Sequence, residues 1–506
     1  MNRKLLLCYL LVLVTNTFLV GQMQKKTKAA YQKDVEALID YAFSETKAIP
    51  GISMSVVKDG KTIFEKGFGY ANLEEKRKMK ENTSFYIASC TKAFTGLLAA
   101  ILDEEGVISM DATLASYFPK TQFDPKLEAD KITIRSLINH TSGLKNGPIG
   151  FRAAYSGDHT HEQMVELLSH SKPNKVGRGN YRYTNVGYNI YTLIVQEVTG
   201  KKWQDLLEEK IFTPLGMNRT TAYISKAEKG NWPMALPYMA EGPEKFRSVY
   251  LLKKDNTMQS AGGLITTAED LAKWANVHLN EGKLNGKQIF SQKIMQDAHR
   301  NWASCDEKRG PFQAAGYGYG WLVGELGGQK AVWHSGGFPG YLSVMSFLPE
   351  HQIGVNVLIN EPSVGFRLMY LLAAFSYDWW LKNEDVLGNY KAQVQEMAQQ
   401  LAKRHARVAK HRKELAERKW QLSKDFKAYS GQYVNEQYGT IEIDGSDNQL
   451  AVKLGNMHCI ATPYTKKNTA RVEMIPGSGE VLVFKVEDGK VTSLNTGGDI
   501  FKKISK

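Results

Sequence analysis

Strand signals stand at both ends of the first 385 residues, and a long helix-rich stretch separates them. At the front, Ile52-Ser53-Met54-Ser55-Val56-Val57, the turn pair Asp59-Gly60 and Thr62-Ile63-Phe64 read as a hairpin, preceded by a helix over residues 32–43. At the back, residues 317–322, 331–333, 341–348 and 354–359 read as strands, followed by a helix over 366–381. A lone hairpin is marginal in water, so the front strands need the back ones. The expected fold is α/β: one sheet completed by the chain's return, carrying an all-α subdomain built from about 91–280.

Residues 391–420 form a charged helical segment in which Val394, Leu401, Val408 and Leu415 repeat every seven residues, with Leu422 beyond. The second seam holds Met397, Arg404, His411 and Arg418, so half a coiled-coil seam is present. This predicts a linker helix leaning one stripe on a neighbour, with dimerisation left open. From Tyr429 to Lys503 short strand signals at 439–443, 450–454 and 481–486 alternate with turns and predict a small all-β domain. At 506 residues the chain is too long for one unit. The expected division is 30–385, a linker over 386–424 and a β domain over 425–506.

Ahead of these, Asn2-Arg3-Lys4 and an apolar run over 5–14, ending near Gly21-Gln22, predict a signal peptide over residues 1–22. The run is shorter than the roughly 20 residues of a membrane span. An uncleaved anchor is the alternative; either way the body is exported, to the periplasm or beyond the cell, and the mature chain is expected to lack a transmembrane span. The formal charge of +13 does not point to nucleic acid. Residues 1–28 carry five bases and no acid, 391–420 an excess of six bases, and the last six residues three lysines, which leaves the rest near neutral. A nucleic-acid face would lie on the folded surface.

Removing Cys8 with the leader leaves Cys90, Cys305 and Cys459, an odd number with no C-x-x-C, so no disulfide framework is expected. The nearest metal-like cluster is Asp158-His159-Thr160-His161-Glu162. Histidines two apart share a side only in a strand, whereas Thr160…Gln163 reads as a capping box opening a helix. No metal and no other cofactor is expected.

A serine is activated by a lysine three residues on only where both share a helix face. The pattern occurs five times, at Ser44…Lys47, Ser55…Lys58, Ser89…Lys92, Ser142…Lys145 and Ser169…Lys172. The second lies in a strand, the fourth and fifth at turn or breaker signals, and the first at a fraying helix end. Ser89-Cys90-Thr91-Lys92 instead opens an apolar helix, 93–102, with no exposed face. Free backbone N–H groups there suit an oxyanion, and a half-buried lysine loses basicity towards a useful range. A plain serine N-cap is the alternative. Tyr183-Thr184-Asn185, in a loop entering a helix over 190–198, adds a phenol for proton transfer and a carboxamide to orient the lysine. Tyr-x-Asn also occurs at Tyr70 and Tyr433, so it is weak in isolation, and packing of a pocket wall stays open. His334-Ser335-Gly336-Gly337 is the one place where a histidine has glycine two residues on. Its glycines would let a substrate backbone approach a strand edge, with the Gly337 N–H as an oxyanion donor. Cys90, His140, the 377–380 aromatic cluster and Tyr317-Gly318-Tyr319-Gly320-Trp321 read as structural.

These three ordered motifs resemble the class C β-lactamase and penicillin-binding-protein-like serine hydrolases. The likeness extends to Ile132-Thr133-Ile134-Arg135-Ser136-Leu137-Ile138-Asn139-His140-Thr141-Ser142-Gly143-Leu144, to Ser260-Ala261-Gly262-Gly263-Leu264 and to Thr267-Ala268-Glu269-Asp270-Leu271, over roughly residues 30–385. The resemblance implies a β-lactamase/transpeptidase-like antiparallel sheet flanked by helices, and a lipocalin-like β domain behind the linker. It implies Ser89 as acylated nucleophile, Lys92 as its activating partner, Tyr183 as general acid/base and Asn185 as substrate and lysine contact. His334 would be the third-motif residue, Ser335 and Gly336 would line the substrate edge, and the N–H groups of Ser89 and Gly337 would form the oxyanion hole. Lactamases of this family usually carry lysine where His334 stands, and a near-neutral imidazole suits esterases and peptidases better. The expected function is hydrolysis of an amide or ester, with a peptide related to D-Ala-D-Ala carboxypeptidase substrates leading. A β-lactamase or a catalytically silent cell-wall peptide-binding module are the alternatives. The expected partner is a small peptide, ester or amide, and a homo-oligomer is left open.

Overall fold

The computed structural model describes residues 26–504; the leader over 1–22 lies outside the described residues. The front hairpin and the returning strands do join. One antiparallel sheet runs in the order Ala303–Arg309, Phe312–Tyr317, Leu322–Leu326, Gln329–Phe338, Tyr341–Leu348, Ile353–Ile359, Gly51–Lys58, Lys61–Asn72, Arg77–Lys78. The closure is the pairing of Gly51–Lys58 with Ile353–Ile359, in the register Ile52↔Ile359 to Lys58↔Ile353. Both central strands are buried almost throughout, because helices cover both faces. Lys28–Thr46 and Gly365–Leu381 pack on one face, and Ala268–Leu279 with Thr91–Glu104 on the other. The hairpin turn behaves as its residues require: Asp59 and Gly60 both take positive φ, 49° and 74°.

The 317–322 expectation is corrected. Phe312–Tyr317 and Leu322–Leu326 are two paired strands, joined by a tight turn in which the Gly318 N–H donates to the Trp321 carbonyl at 2.8 Å. Glycine alone fits there: Gly320 has φ 82°, and a Cβ on it would stand 2.2 Å from the Lys92 carbonyl oxygen. Gly96 makes the matching approach from the helix, 2.3 Å from the Tyr319 oxygen. This turn therefore packs closely on the helix that the S-x-x-K motif opens. The aromatic cluster packs the last helix, with Trp379 Nε1 donating to Asp34 at 2.8 Å and the Tyr377 and Ser346 hydroxyls 2.8 Å apart.

The helix Leu387–Ala416 buries Tyr390, Val394, Met397 and Leu401 against the first and last helices of the sheet domain. Beyond Leu401 it turns outward, and Val408 is exposed. A second antiparallel sheet of nine strands follows, from Gly431–Asn435 to Asp499–Ile504, and its far strands Met457–Ile460 and Thr469–Ile475 approach each other. The sheet is thus nearly closed, consistent with a lipocalin-like barrel. The predicted capping box is present: the Thr160 hydroxyl accepts from the Gln163 N–H and opens the helix His161–Glu166. His159 Nε2 lies 2.9 Å from the Asn256 carbonyl oxygen while His161 turns to Glu197, so the two histidines diverge. Among the described residues no helix is long and apolar enough to cross a membrane.

The β domain is clamped to the helical region by Arg152, which is buried. Its guanidinium donates to the carbonyls of Gln437 (2.6 Å), Asp158 (2.6 Å) and Glu436 (3.0 Å), while Tyr438 meets Phe151 edge-on at 5.7 Å. Replacing Arg152 by methionine orphans three carbonyls. An unfolding midpoint lowered by the equivalent of about 2–3 kcal/mol is expected in a denaturant titration, with the two domains losing their common transition. An unchanged midpoint would show that the clamp does not hold the domains together.

Candidate functional site

The helix Thr91–Glu104 buries every residue from Thr91 to Leu102, so whatever it carries at position 92 enters the core. Lys92 is fully buried. A short 3-10 turn, Ala88–Cys90, precedes it and starts from Ala88 in the left-handed region at φ 44°, a strained conformation for a residue with a Cβ. That turn sets Ser89 beside the lysine, with Nζ 3.1 Å from Ser89 Oγ. Nζ also donates to Asn185 Oδ1 at 2.8 Å and to the Ala261 carbonyl at 2.7 Å. Both latter partners accept only.

Among the described residues no carboxylate joins this cluster. Burial therefore holds the Lys92 amine well below its usual pKa. A neutral amine has two N–H bonds and one lone pair. Asn185 and Ala261 take the N–H bonds, which leaves the lone pair facing the Ser89 hydroxyl. Tyr183 also faces the amine: Nζ is 4.8 Å from its ring centroid, and its phenol is near enough to Ser89 for that contact to act on the phenol's pKa. Desolvation raises the phenol pKa, an effect the Ser89 contact partly offsets, so the proton stays on Tyr183 at neutral pH.

His334 lies on the strand Gln329–Phe338 and is 3% exposed. Its Nδ1 is 2.8 Å from the Ser335 carbonyl and must carry the proton, so Nε2 accepts from the Tyr317 hydroxyl at 3.1 Å. Burial pushes the imidazole down to about 3. Position 334 is thus neutral. Gly336 lies against the nucleophile turn, where a Cβ would stand 2.0 Å from the Ile87 oxygen and 2.9 Å from the Ser89 nitrogen. Gly337, the next residue, is exposed. Ser343 on the neighbouring strand locks the turn by donating to the Ile87 carbonyl at 2.7 Å.

All five predicted side chains, Ser89, Lys92, Tyr183, Asn185 and His334, therefore meet, with Ser335, Gly336 and Gly337 along the edge. The other four S-x-x-K pairs do not. Ser44 donates to the Tyr41 carbonyl, Ser55 contacts Asn356, Ser142 accepts from the Leu144 N–H and Ser169 donates to the Glu166 carbonyl. Cys90 is buried with its thiol pushed up to about 12, a packed side chain as expected. Sequence reasoning missed three members. The Ala261 carbonyl has no side-chain signature. Tyr317 reads as strand packing, yet its hydroxyl orients His334. His140 is a turn residue at φ 65°, and its ring also lies 4.4 Å from that of Tyr183, with Nδ1 accepting the Thr184 N–H at 3.3 Å.

Comparison with known proteins places this site in context. The β-lactamase family model matches residues 35–375. Protein flp of Staphylococcus aureus (strain NCTC 8325 / PS 47) is 28% identical over 338 residues, covering 65% of this chain and 63% of that protein. Penicillin-binding protein 4* of Bacillus subtilis (strain 168) is 26% identical over 330 residues, covering 60% and 66%. The chain thus matches less than two thirds of the length of these curated relatives. Among solved structures, the octameric penicillin-binding protein homologue from Pyrococcus abyssi superposes with a TM-score of 0.58 at 23% identity, covering 93% of this chain and 99% of that one. The D-amino acid amidase from Ochrobactrum anthropi SV3, complexed with L-phenylalanine amide, gives 0.59 at 22%, covering 69% and 98%. At these identities the two structures speak for the fold.

Gly336→Ala tests the close approach. Its methyl group would displace the Ile87–Ser89 turn, and an error of about 1 Å at a nucleophile costs roughly 10²-fold in rate. That loss of Ser89 labelling rate by an active-site-directed phosphonate is expected, with the protein still folded by circular dichroism. Wild-type labelling in the variant would refute the role given to the glycine.

Proposed function

The chain belongs to the β-lactamase family, and on that premise we propose that it is a serine hydrolase cleaving amide or ester bonds through an acyl-enzyme on Ser89. The observation that carries this is the partnering of Lys92: two acceptor-only groups consume its N–H bonds and leave a lone pair 3.1 Å from Ser89 Oγ. In acylation, Ser89 Oγ attacks the substrate carbonyl as its proton passes to Nζ. The oxyanion is held by the Ser89 and Gly337 N–H groups. Tyr183, protonated at rest, gives its proton to the leaving amine or alcohol as the carbonyl carbon–leaving-group bond breaks, and the Lys92 ammonium restores it. Water then adds to the ester carbonyl as its proton passes to Lys92 Nζ, and Nζ returns a proton to Ser89 Oγ as the ester C–O bond breaks and the acid product leaves.

The substrate class follows from charge. With His334 neutral and Lys92 neutral, the catalytic cluster lacks the fixed cation that a penicillin carboxylate uses. This favours peptides, amino-acid amides and esters over lactams, and the likeness to a D-amino acid amidase supports amides of D-residues. β-Lactam hydrolysis is the second reading, favoured by the family itself. We further propose export, on the basic start and apolar run of the leader, and a homo-oligomer, for which the octameric relative is the support.

Intact mass after fluorophosphonate treatment is expected to show one adduct, absent in Ser89→Ala; no adduct on folded wild-type protein would sink the proposal. Lys92→Arg, which puts a permanent cation in place of the neutral amine and loses the basic lone pair, and Tyr183→Phe should each lower kcat/KM by roughly 10²–10⁴-fold. A base of depressed pKa works only when deprotonated, so kcat/KM should rise with pH through an apparent pKa well below 10.5 and then level. A rising limb centred near 10.5 would mean that Lys92 is not the base.

A further inference from the structure

Away from the catalytic cluster, cations converge where the start of the helix Gly365–Leu381 meets the middle of the helix Leu387–Ala416. A groove of about 560 Å³ lies there, and four of its lining side chains, Arg367, Lys403, Arg404 and Arg407, are cations while none is a carboxylate. The four form no ion pair among the described residues. Arg412, one turn further along the same helix, is held at 2.9 Å by Glu241, which shows how a surface arginine is ordinarily satisfied in this protein. In the groove Arg367 donates to Gln400 Oε1 and Arg404 donates to the Ser363 carbonyl at 3.1 Å, so two guanidinium forks are oriented by neutral groups that leave their charge uncompensated.

The nearby acids are already engaged. Glu361 is fully buried behind the groove and accepts from the Ser363 and Val364 N–H groups at 2.8 and 3.1 Å. Glu396 accepts from Gln400 Nε2 at 2.6 Å on the exposed side. Lys403 and Arg407 stand four apart on one helix, and Arg404 and Arg407 three apart, spacings at which like charges repel and weaken the helix. Among the described residues no acid pairs with these cations to offset that repulsion. A multiply charged oxyanion would. Guanidinium forks match the paired oxygens of phosphate, and the groove volume falls within the roughly 300–1,000 Å³ of small-molecule sites.

We propose that this groove binds a soluble, multiply charged phosphoester, gripped by Arg367, Arg404 and Arg407 with Lys403 as a further counter-charge. A singly charged carboxylate would leave three of the four cations uncompensated, which is why phosphate is favoured. The site is separate from Ser89 and does not depend on the hydrolase assignment.

Calorimetric titration of the full chain with inorganic pyrophosphate tests it. Saturable one-to-one binding is expected, weakened at least ~10-fold in the Arg367→Gln/Arg404→Gln double variant. The paired control Lys410→Gln/Lys413→Gln removes as much charge from the same helix outside the groove and should leave the affinity unchanged. Fluorophosphonate labelling and the unfolding midpoint should match wild type in both variants, so that a folding defect is visible as such. Three results would overturn the proposal: no saturable binding; equal weakening in the control, which would mean diffuse charge attraction; or acetate binding as tightly as pyrophosphate. Flotation with phosphatidylglycerol vesicles provides the other arm. Capture by vesicles without pyrophosphate binding would make the face a membrane contact and would likewise overturn the soluble-ligand assignment.

Discussion

A lysine amine sits fully buried without a carboxylate beside it, and much of the site's architecture follows from how that amine is accommodated. An ammonium held in such a place costs several kcal/mol unless compensated. Among the described residues no counter-charge reaches it; an amide oxygen and a backbone carbonyl do, and they stabilise a neutral amine by accepting its two N–H bonds. The third neighbour is the Ser89 hydroxyl. Desolvation and hydrogen-bond count thus converge on one protonation state, and that state is the one able to accept a proton from serine.

Holding the arrangement requires backbones to approach closely. The 318–321 turn presses on the carbonyl of Lys92, and Gly336 presses on the Ile87–Ser89 turn from the other flank. The strained Ala88 survives between these contacts because the Ser343 hydroxyl and the strand edge leave the turn no alternative. Outward from Gly337 the packing continues through Phe338, which stacks on Tyr155 at 6.1 Å and lies 4.1 Å from Lys253 Nζ. Lys253 is itself buried, donates to the Ala154 carbonyl at 2.8 Å, and is brought down to about 7 by desolvation. Tyr155 in turn meets Phe151, and Phe151 meets Tyr438 of the β domain. A continuous aromatic path therefore joins the wall beside the oxyanion donors to the C-terminal domain.

The elements most legible in sequence were those whose burial is one-sided or complete. The hairpin at Asp59-Gly60, the all-apolar helix behind Ser89, the capping box at Thr160 and the last helix each carry a periodicity or a turn chemistry that depends on neighbours only weakly. The strand Ala303–Arg309 was illegible because it is the sheet's edge: Asp306, Lys308 and Arg309 are exposed and the half-buried Glu307 is itself charged, so no apolar alternation continues past Cys305. The 317–322 segment misled because its aromatics satisfy strand propensity, while the glycines that bend it are explained by the carbonyl of Lys92 some 230 residues earlier in the chain. The seven-residue repeat of the linker helix was real to the eye, yet it is used only as far as Leu401. The next position, Val408, finds no surface to bury against.

By itself the sequence determined which chemistry was on offer. Ser89 stands three residues before Lys92, in the short turn that opens the lysine's helix, so the spacing that lets them meet is local, although the sheet holds that turn in place. The tertiary structure alone decided whether the lysine is a base. Its pKa depends on how much water is excluded and on which groups face Nζ. Asn185 and Ala261, brought in from 93 and 169 residues away, determine that. Helical spacing is a property of adjacent residues, but desolvation is a property of everything that surrounds them.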